Sequence, residues 1–243
     1  MTLTSCVMAL VMITTGQITP GVVAGLLTGQ LIVLVNGLVN GLLITKADLP
    51  PFIVTLGMLG IAQGVALVIT VGRSMFGLPE IFKFVGQGSV GPIPTPLVIV
   101  AVLFVIFHII LQYNRLGRYV LSVGGNEQAT RLSGVNVANV KIGAYVISGL
   151  TAAIGGIVLA SRINSAHPAA GQGMELDAIA AAVIGGTSLM GGEGTIVGTI
   201  IGAFMMAVIR NGLNLLNVNT FWQQIVIGLV IIGAVWIDRA RKR

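Results

Sequence analysis

The sequence predicts an all-α, polytopic membrane protein. Three observations predict it. Hydrophobic residues make up 55% of the 243 and charged residues only 8%, against roughly 25% charged in soluble domains. Mean hydropathy is +1.00. The apolar residues gather into runs near the roughly 20 residues that a helix needs to cross a bilayer. So little charge cannot cover a soluble surface. The net charge of +6 does not point to nucleic acid, because the basic residues sit in short loops and at the C-terminus rather than on one face. Basic loops on the inner face of a membrane explain it better.

Residues 1–17 are already apolar and lack the basic start of a secretory signal. The first charge is Lys46, after an apolar run over 22–45 broken by Gln30, Asn36 and Asn40. Lys46 to Pro51 is a turn whose prolines suit the start of a helix, and 52–70 is a span carrying Thr55 and Gln63. A Gly/Pro-rich loop is expected over 71–96, then spans over 97–111 and 142–160. After a polar loop at 161–175 comes the short apolar run 177–190, which by length suits either a brief crossing or a re-entrant element. Spans over 195–209 and 221–237 flank a polar loop at 211–220.

Charge decides how 177–190 is read. If it crosses, and the segment 113–141 faces inward, the inner segments hold Lys46, Arg115, Arg118, Arg131, Lys141, Arg239, Arg241, Lys242 and Arg243. The outer ones hold Arg73, Lys83, Arg162 and Arg210. This bias favours a crossing, eight spans in all, and a cytoplasmic C-terminus. The whole chain, 1–243, then forms one transmembrane domain. Glycine, 34 of 243, is about twice its usual ~7%. Many glycines recur at spacing four: Gly21, Gly25 and Gly29; Gly37 and Gly41; Gly60 and Gly64; Gly194, Gly198 and Gly202. That spacing predicts close helix packing. The lone Cys6 forms neither an internal disulfide nor a metal site.

The longest polar interval runs over 122–141. Its middle reads as a short helix, with Asn126 as N-cap, Glu127 in the first turn and Gly134 closing the C-terminus. Ala129 and Leu132 give it a small apolar stripe, suited to docking on another protein; an ordinary solvated connector fits the same residues.

The residues here carry a resemblance. Gly124, Gly125, Asn126, Glu127, Ala129, Ser133, Gly134 and Val135 resemble the cytoplasmic coupling loop of ribose-type ABC importer permeases. Two further stretches match that family in its order. One is Glu175 to Ala181 with Gly185, Gly186, Thr187, Ser188, Leu189, Gly191 and Gly192; the other runs from Asn211 to Leu216. The resemblance covers essentially the whole chain. Family members carry further N-terminal membrane segments, and residues 4–10 resemble the stretch just C-terminal to those segments. The resemblance therefore implies an N-terminally truncated chain.

No Gly-x-x-x-x-Gly-Lys-Ser/Thr occurs, so this chain is not expected to bind ATP phosphates. No Cys/His/carboxylate cluster has metal-ligand spacing, and no catalytic set stands out. Every Asp and Glu lies in a loop or at a span boundary, so the titratable relay of an ion-coupled carrier is missing. The apolar segments instead carry Gln30, Asn36, Asn40, Thr55 and Gln63, with Thr187 and Ser188 in the short element. These amides and hydroxyls suit a neutral, hydroxyl-rich solute along a path, and equally suit hydrogen bonds between helices.

The resemblance implies a permease subunit of a bacterial cytoplasmic-membrane importer for a ribose-like monosaccharide. It implies an ATPase subunit holding ATP-Mg, a second permease copy and an extracytoplasmic sugar-binding protein as partners, with lipid around the spans and no cofactor on this chain. Gly125, Asn126, Glu127, Ala129, Arg131, Ser133 and Gly134 would form the ATPase-coupling site. An ATP-independent facilitator and an amino-acid permease of related type are the alternatives.

Overall fold

The computed structural model describes residues 1–15 and 18–241. Lys242 and Arg243, counted above among the inner cations, lie outside the described residues. Among the described residues the chain forms helices α1 (Thr2–Thr15), α2 (Ile18–Lys46), α3 (Pro51–Thr70), α4 (Glu80–Gln87), α5 (Thr95–Tyr113), α6 (Arg115–Gly125), α7 (Glu127–Leu132), α8 (Val137–Ile163), α9 (Met174–Ile184), α10 (Ile196–Leu215) and α11 (Thr220–Arg241). A two-stranded hairpin pairs β1 (Ser89–Val90) with β2 (Ile93–Pro94), antiparallel. The chain divides into two compact units, residues 1–101 with 138–172 and residues 102–137 with 173–243.

Five of these helices are long and apolar enough to cross a membrane: Pro20–Lys46, Pro51–Thr70, Thr95–Tyr113, Val137–Ile163 and Ile196–Leu215. The chain is therefore an all-α, multi-pass membrane protein, and among the described residues five of the eight expected spans appear at full length. The other three fall on shorter apolar helices: Thr2–Thr15, Phe221–Trp236 and the 11-residue α9. At 1.5 Å per residue α9 is roughly 16 Å long, about half the hydrocarbon thickness. The apolar run 177–190 outlasts its helix because Gly186 turns the chain at φ +87°.

In the first unit, α2 is the axis. Gly21, Gly25, Gly29, Val33, Gly37 and Gly41, one every fourth residue, form a single buried face. The N-terminal part takes α1: a Cβ on Gly25 would stand 2.9 Å from the Met8 carbonyl oxygen, and one on Gly29 3.3 Å from that of Thr4. The C-terminal part takes α8: a Cβ on Gly37 would stand 2.6 Å from the Tyr145 carbonyl oxygen, and one on Gly41 2.9 Å from Ile142 Cα. The spacing-four reading holds there. It fails at Gly60 and Gly64 of α3, where an added Cβ would meet nothing within 4 Å. The core of this unit gathers around α1, whose Cys6, Met8 and Ala9 are fully buried with Ala66, Phe82 and Ala160.

The expected loop at 71–96 holds α4 and the hairpin instead. Pro79 opens α4, and Phe82 anchors it in the core. The buried Ser161 Oγ donates to the Phe82 carbonyl at 2.6 Å and accepts from the Gly86 amide at 2.7 Å, so one hydroxyl ties α4 to α8. The glycines and prolines mark the turns around these short elements and mask the elements themselves. Likewise, the expected loop at 211–220 is shorter, because α10 continues through Asn211 and Asn214 to Leu215. Asn214 Oδ1 then accepts from Gln223 Nε2 at 2.8 Å, closing the α10–α11 hairpin.

In the second unit, α9 runs antiparallel to α10. Gly185 meets Gly198, Ala181 meets Gly202 at backbone contact, and Asp177 pairs with Arg210 at 2.7 Å. Helix α11 packs on both through Ile227, beside Ala180, Ala181 and Met206. These contacts separate glycines that carry helix packing from those that do not. Gly37→Ala is expected to lower stability by about 1–3 kcal/mol through overpacking. Gly60→Ala, which gains helix propensity and meets nothing within 4 Å among the described residues, should not fall. Thermal unfolding midpoints of the two variants in mild detergent check this.

Candidate functional site

The polar interval folds into two helices joined at one residue. Asn114 caps α6, its Oδ1 accepting from the Leu116 amide at 3.2 Å. The segment that carries Arg115 and Arg118 is thus the start of a helix. Gly117 makes the corner possible: its Cα lies against the Ile110 and Leu111 carbonyls, where any Cβ would clash. Arg115 and Arg118 are exposed. Asn126 then ends α6, its amide donating to the Ser122 carbonyl at 3.0 Å, and begins α7, its Oδ1 accepting from the Ala129 amide at 2.9 Å. One asparagine serves two helix ends.

The C-terminus of α7 is equally well closed. The Gly134 amide donates to the Arg131 carbonyl at 3.1 Å and the Val135 amide to that of Thr130 at 3.4 Å. Gly134 sits at φ +81°. This is the paired bond pattern that terminates helices at a left-handed residue. Ser133 Oγ donates to the Ala129 carbonyl at 3.0 Å. The predicted caps, Asn126 and Gly134, are where the sequence placed them. A six-residue helix is not stable by propensity alone, so both caps are needed to hold it.

What α7 presents is Glu127, Gln128, Arg131 and Leu132, around a shallow hollow. Arg131 Nη2 reaches Glu127 Oε1 at 3.4 Å, an exposed pair one turn apart, worth roughly 0.3–0.5 kcal/mol. Glu127 lies in the first turn and Arg131 in the last, each favoured by the helix dipole. Leu132 is 89% exposed and Ala129 is exposed, so the apolar stripe faces away from the chain. Thr130 alone of α7 is buried.

The path candidates fall in both units. Gln30, Asn36 and Asn40 are half-buried on α2, with Asn36 and Asn40 one turn apart on the same flank. Asn40 Oδ1 is fully buried and has no hydrogen-bond partner among the described residues. Thr55 and Gln63 are half-buried on α3, and Thr55 Oγ1 donates to the Pro51 carbonyl of its own helix at 2.9 Å. Thr187 and Ser188 belong to the second unit, in the turn 186–195 between α9 and α10. Ser188 is buried; its amide donates to the Glu193 carbonyl at 3.0 Å and its Oγ accepts from the Met190 amide at 3.2 Å. In this chain Ser188 braces a turn.

Two features of the second unit have no counterpart in the sequence reading. Gly124 and Gly125, at the end of α6, lie directly against Gly191 and Gly192 of that turn. Arg210 reaches Asp177 with both carboxylate oxygens in range, at 2.7 and 2.9 Å, beside a hollow lined by alanines. The paired glycines of the two motifs were the available signal for the first. Nothing in the spacing of 33 residues signals the second. Among the described residues no group of His, Cys, Asp and Glu could hold a metal.

Residues 1–235 match a family profile described as branched-chain amino acid transport system / permease component. The chain belongs to this family of transport permeases. It is 45% identical to the ribose import permease protein RbsC of Bacillus subtilis (strain 168) over 205 residues, 84% of this chain and 64% of that protein. It is 45% identical to RbsC of Escherichia coli (strain K12), covering 85% of this chain and 65% of that one. It is 38% identical to the D-allose transport system permease protein AlsC of the same strain, covering 89% and 66%. The chain thus spans just under two thirds of the length of the curated relatives it matches. No solved structure matches.

The double cap gives a direct expectation. Asn126→Ala should cost about 1 kcal/mol of helix stability and speed amide exchange over 127–133, whereas Asn126→Asp should leave it near the parent rate. Hydrogen–deuterium exchange of the detergent-solubilised protein measures both.

Proposed function

We propose that this chain is the membrane-spanning permease subunit of an ATP-binding-cassette importer for a neutral monosaccharide of ribose type. The observation that carries the proposal is α7: a short helix, capped at both ends, set in the chain between long apolar helices, with Leu132, Glu127 and Arg131 turned outward. A connector would not need two full caps. A docking helix does, because its partner must meet a fixed shape. Family membership and the names of the relatives support the same reading. The family description includes amino-acid permeases, and the 38–45% identity to ribose and allose permeases favours sugar.

In this mechanism ATP-Mg is bound and hydrolysed by a partner subunit. Gly125, Asn126, Glu127, Ala129, Arg131, Ser133 and Gly134 form its seat. Arg131 leaves Glu127 at small cost, since their pair is exposed, and meets an acidic group on the ATPase. A second permease subunit completes the pathway, and an extracytoplasmic sugar-binding protein delivers the solute at the opposite face. The absence of carboxylates along the apolar stretches fits a carrier driven by ATP rather than by an ion gradient. Alternating access then exposes the amides of Gln30, Asn36, Asn40 and Gln63 and the hydroxyl of Thr55 to a polyhydroxylated solute. Asn40 is the strongest of these, since a buried carbonyl oxygen without a partner costs roughly 1–3 kcal/mol, which a solute hydroxyl would offset. Thr187 and Ser188, on the turn of the second unit, complete the set of path residues. The protein sits in the bacterial cytoplasmic membrane with α7 and the C-terminus inside.

The test is Arg131→Glu, in cells that carry the whole importer. Uptake of radiolabelled D-ribose should fall at least roughly tenfold, the scale of losing one charged interface contact, while the protein stays in the membrane at parent level. Normal uptake would contradict the coupling role. Uptake that persists after ATP depletion in the parent would make the protein a facilitator instead.

A further inference from the structure

The contact between the α6–α7 junction and the 186–195 turn has an unusual composition. It is backbone against backbone, with no side chain between. A Cβ on Gly124 would stand 2.5 Å from the Gly192 amide nitrogen; one on Gly191 would stand 2.6 Å from the Gly124 carbonyl oxygen; one on Gly192 would stand 2.8 Å from Gly125 Cα. Gly191 and Gly192 hold φ of +89° and +82°, the region that favours glycine. Directly beyond the turn, Gly185 of α9 meets Gly198 of α10, again at a distance that admits no Cβ. A chain of bare backbone contacts therefore runs from the N-cap of α7 into the α9–α10 pair.

Side chains between two elements can absorb a displacement by changing rotamer. Close-packed backbone cannot, because it has no such freedom and little compressibility. Asn126, which begins α7, follows Gly125 directly, so α7 cannot shift without moving the glycines that touch the turn. The turn is itself braced, with the Ser188 amide donating to the Glu193 carbonyl at 3.0 Å and the Gly191 amide to the Ser188 carbonyl at 3.2 Å. We propose that the contact of Gly124 with Gly191 and Gly192 is the joint that passes displacement of α7 to α9 and α10, making these glycines positioning residues for transport. The proposal rests on the importer reading above and adds where in this chain the motion goes.

A glycine away from the contact supplies the control. A Cβ on Gly143 of α8 would meet nothing within 4 Å among the described residues. Gly124→Ala and Gly143→Ala are the same chemical change, and only the first opens the joint. Gly192→Asn opens the same joint from the turn's side with a residue that tolerates positive φ, so the test does not depend on one variant folding.

The experiment uses the complete importer reconstituted in proteoliposomes with D-ribose as probe. It reads D-ribose moved per ATP hydrolysed, together with amide exchange over 187–194. Gly124→Ala and Gly192→Asn should lower the ratio by roughly fivefold, the scale of a perturbed coupling element, and speed exchange in the turn. Gly143→Ala should keep both within about twofold of the parent, the scatter of neutral changes. If Gly124→Ala speeds exchange and leaves the ratio unchanged, the contact is packing only and the proposal is overturned. An equal loss from Gly143→Ala overturns it too, since the effect would then belong to any added methyl and not to the contact. If the parent moves D-ribose without ATP, or not at all, the importer reading falls and the transport role of the joint with it; exchange data still report whether the contact exists.

Discussion

The closest helix contacts in this chain form where glycine removes the side chain that would hold the helices apart. Lipid tails are as apolar as leucine, so there is little hydrophobic gain from bringing two membrane helices together, and association rests on close van der Waals contact. Such contact falls off steeply with distance. The buried face of α2 from Gly21 to Gly41 meets this demand twice, with α1 along its first half and α8 along its second. The second unit repeats the device at Gly185 against Gly198 and at Gly202 against the Ala181 carbonyl. Helix α5, which has no glycine and no buried side chain, shows what happens without it.

A second constraint is the satisfaction of polar groups in an apolar chain. Thr28, Thr45, Thr55, Thr70 and Thr151 return their hydroxyl protons to carbonyls of their own helices. Each hydroxyl so used keeps its acceptor lone pairs for a second partner. Ser161 is different, since it serves two backbone groups of α4 from α8 and is fully buried. Against that background the buried Asn40 Oδ1, with no partner among the described residues, is what distinguishes one path candidate from the others. The same economy explains α7. It lies outside the long apolar helices, so its ends are closed by its own sequence.

The spanning helices and α7 were legible because their signals are local. Apolar length gave α2, α3, α5, α8 and α10 to within a few residues, and Asn126 and Gly134 announced both ends of α7. The missed elements have signals that length and composition blur. Eight residues of α4 hide between Gly77 and Gly88, and their anchor, Phe82, declares itself only through contacts with α1 and α8 far away in sequence. The expected crossing at 177–190 falls on an 11-residue helix, because hydropathy does not register the turn at Gly186. The Asp177–Arg210 pair and the Gly124–Gly192 contact depend on antiparallel packing of α9 with α10, which no single stretch encodes. The glycines of α3 show the converse: Gly60 and Gly64 have the spacing of a packed face and no partner among the described residues.

We propose α7 as the seat of an ATPase subunit. A photoreactive amino acid placed at Leu132, the most exposed large apolar side chain among the described residues, tests it in living cells without requiring knowledge of the transported solute. Irradiation and mass spectrometry of the cross-linked product should recover a protein carrying a Gly-x-x-x-x-Gly-Lys-Ser/Thr motif, with the cross-link lost in Arg131→Glu. Cross-links to lipid alone, or to no protein with that motif, would contradict the account.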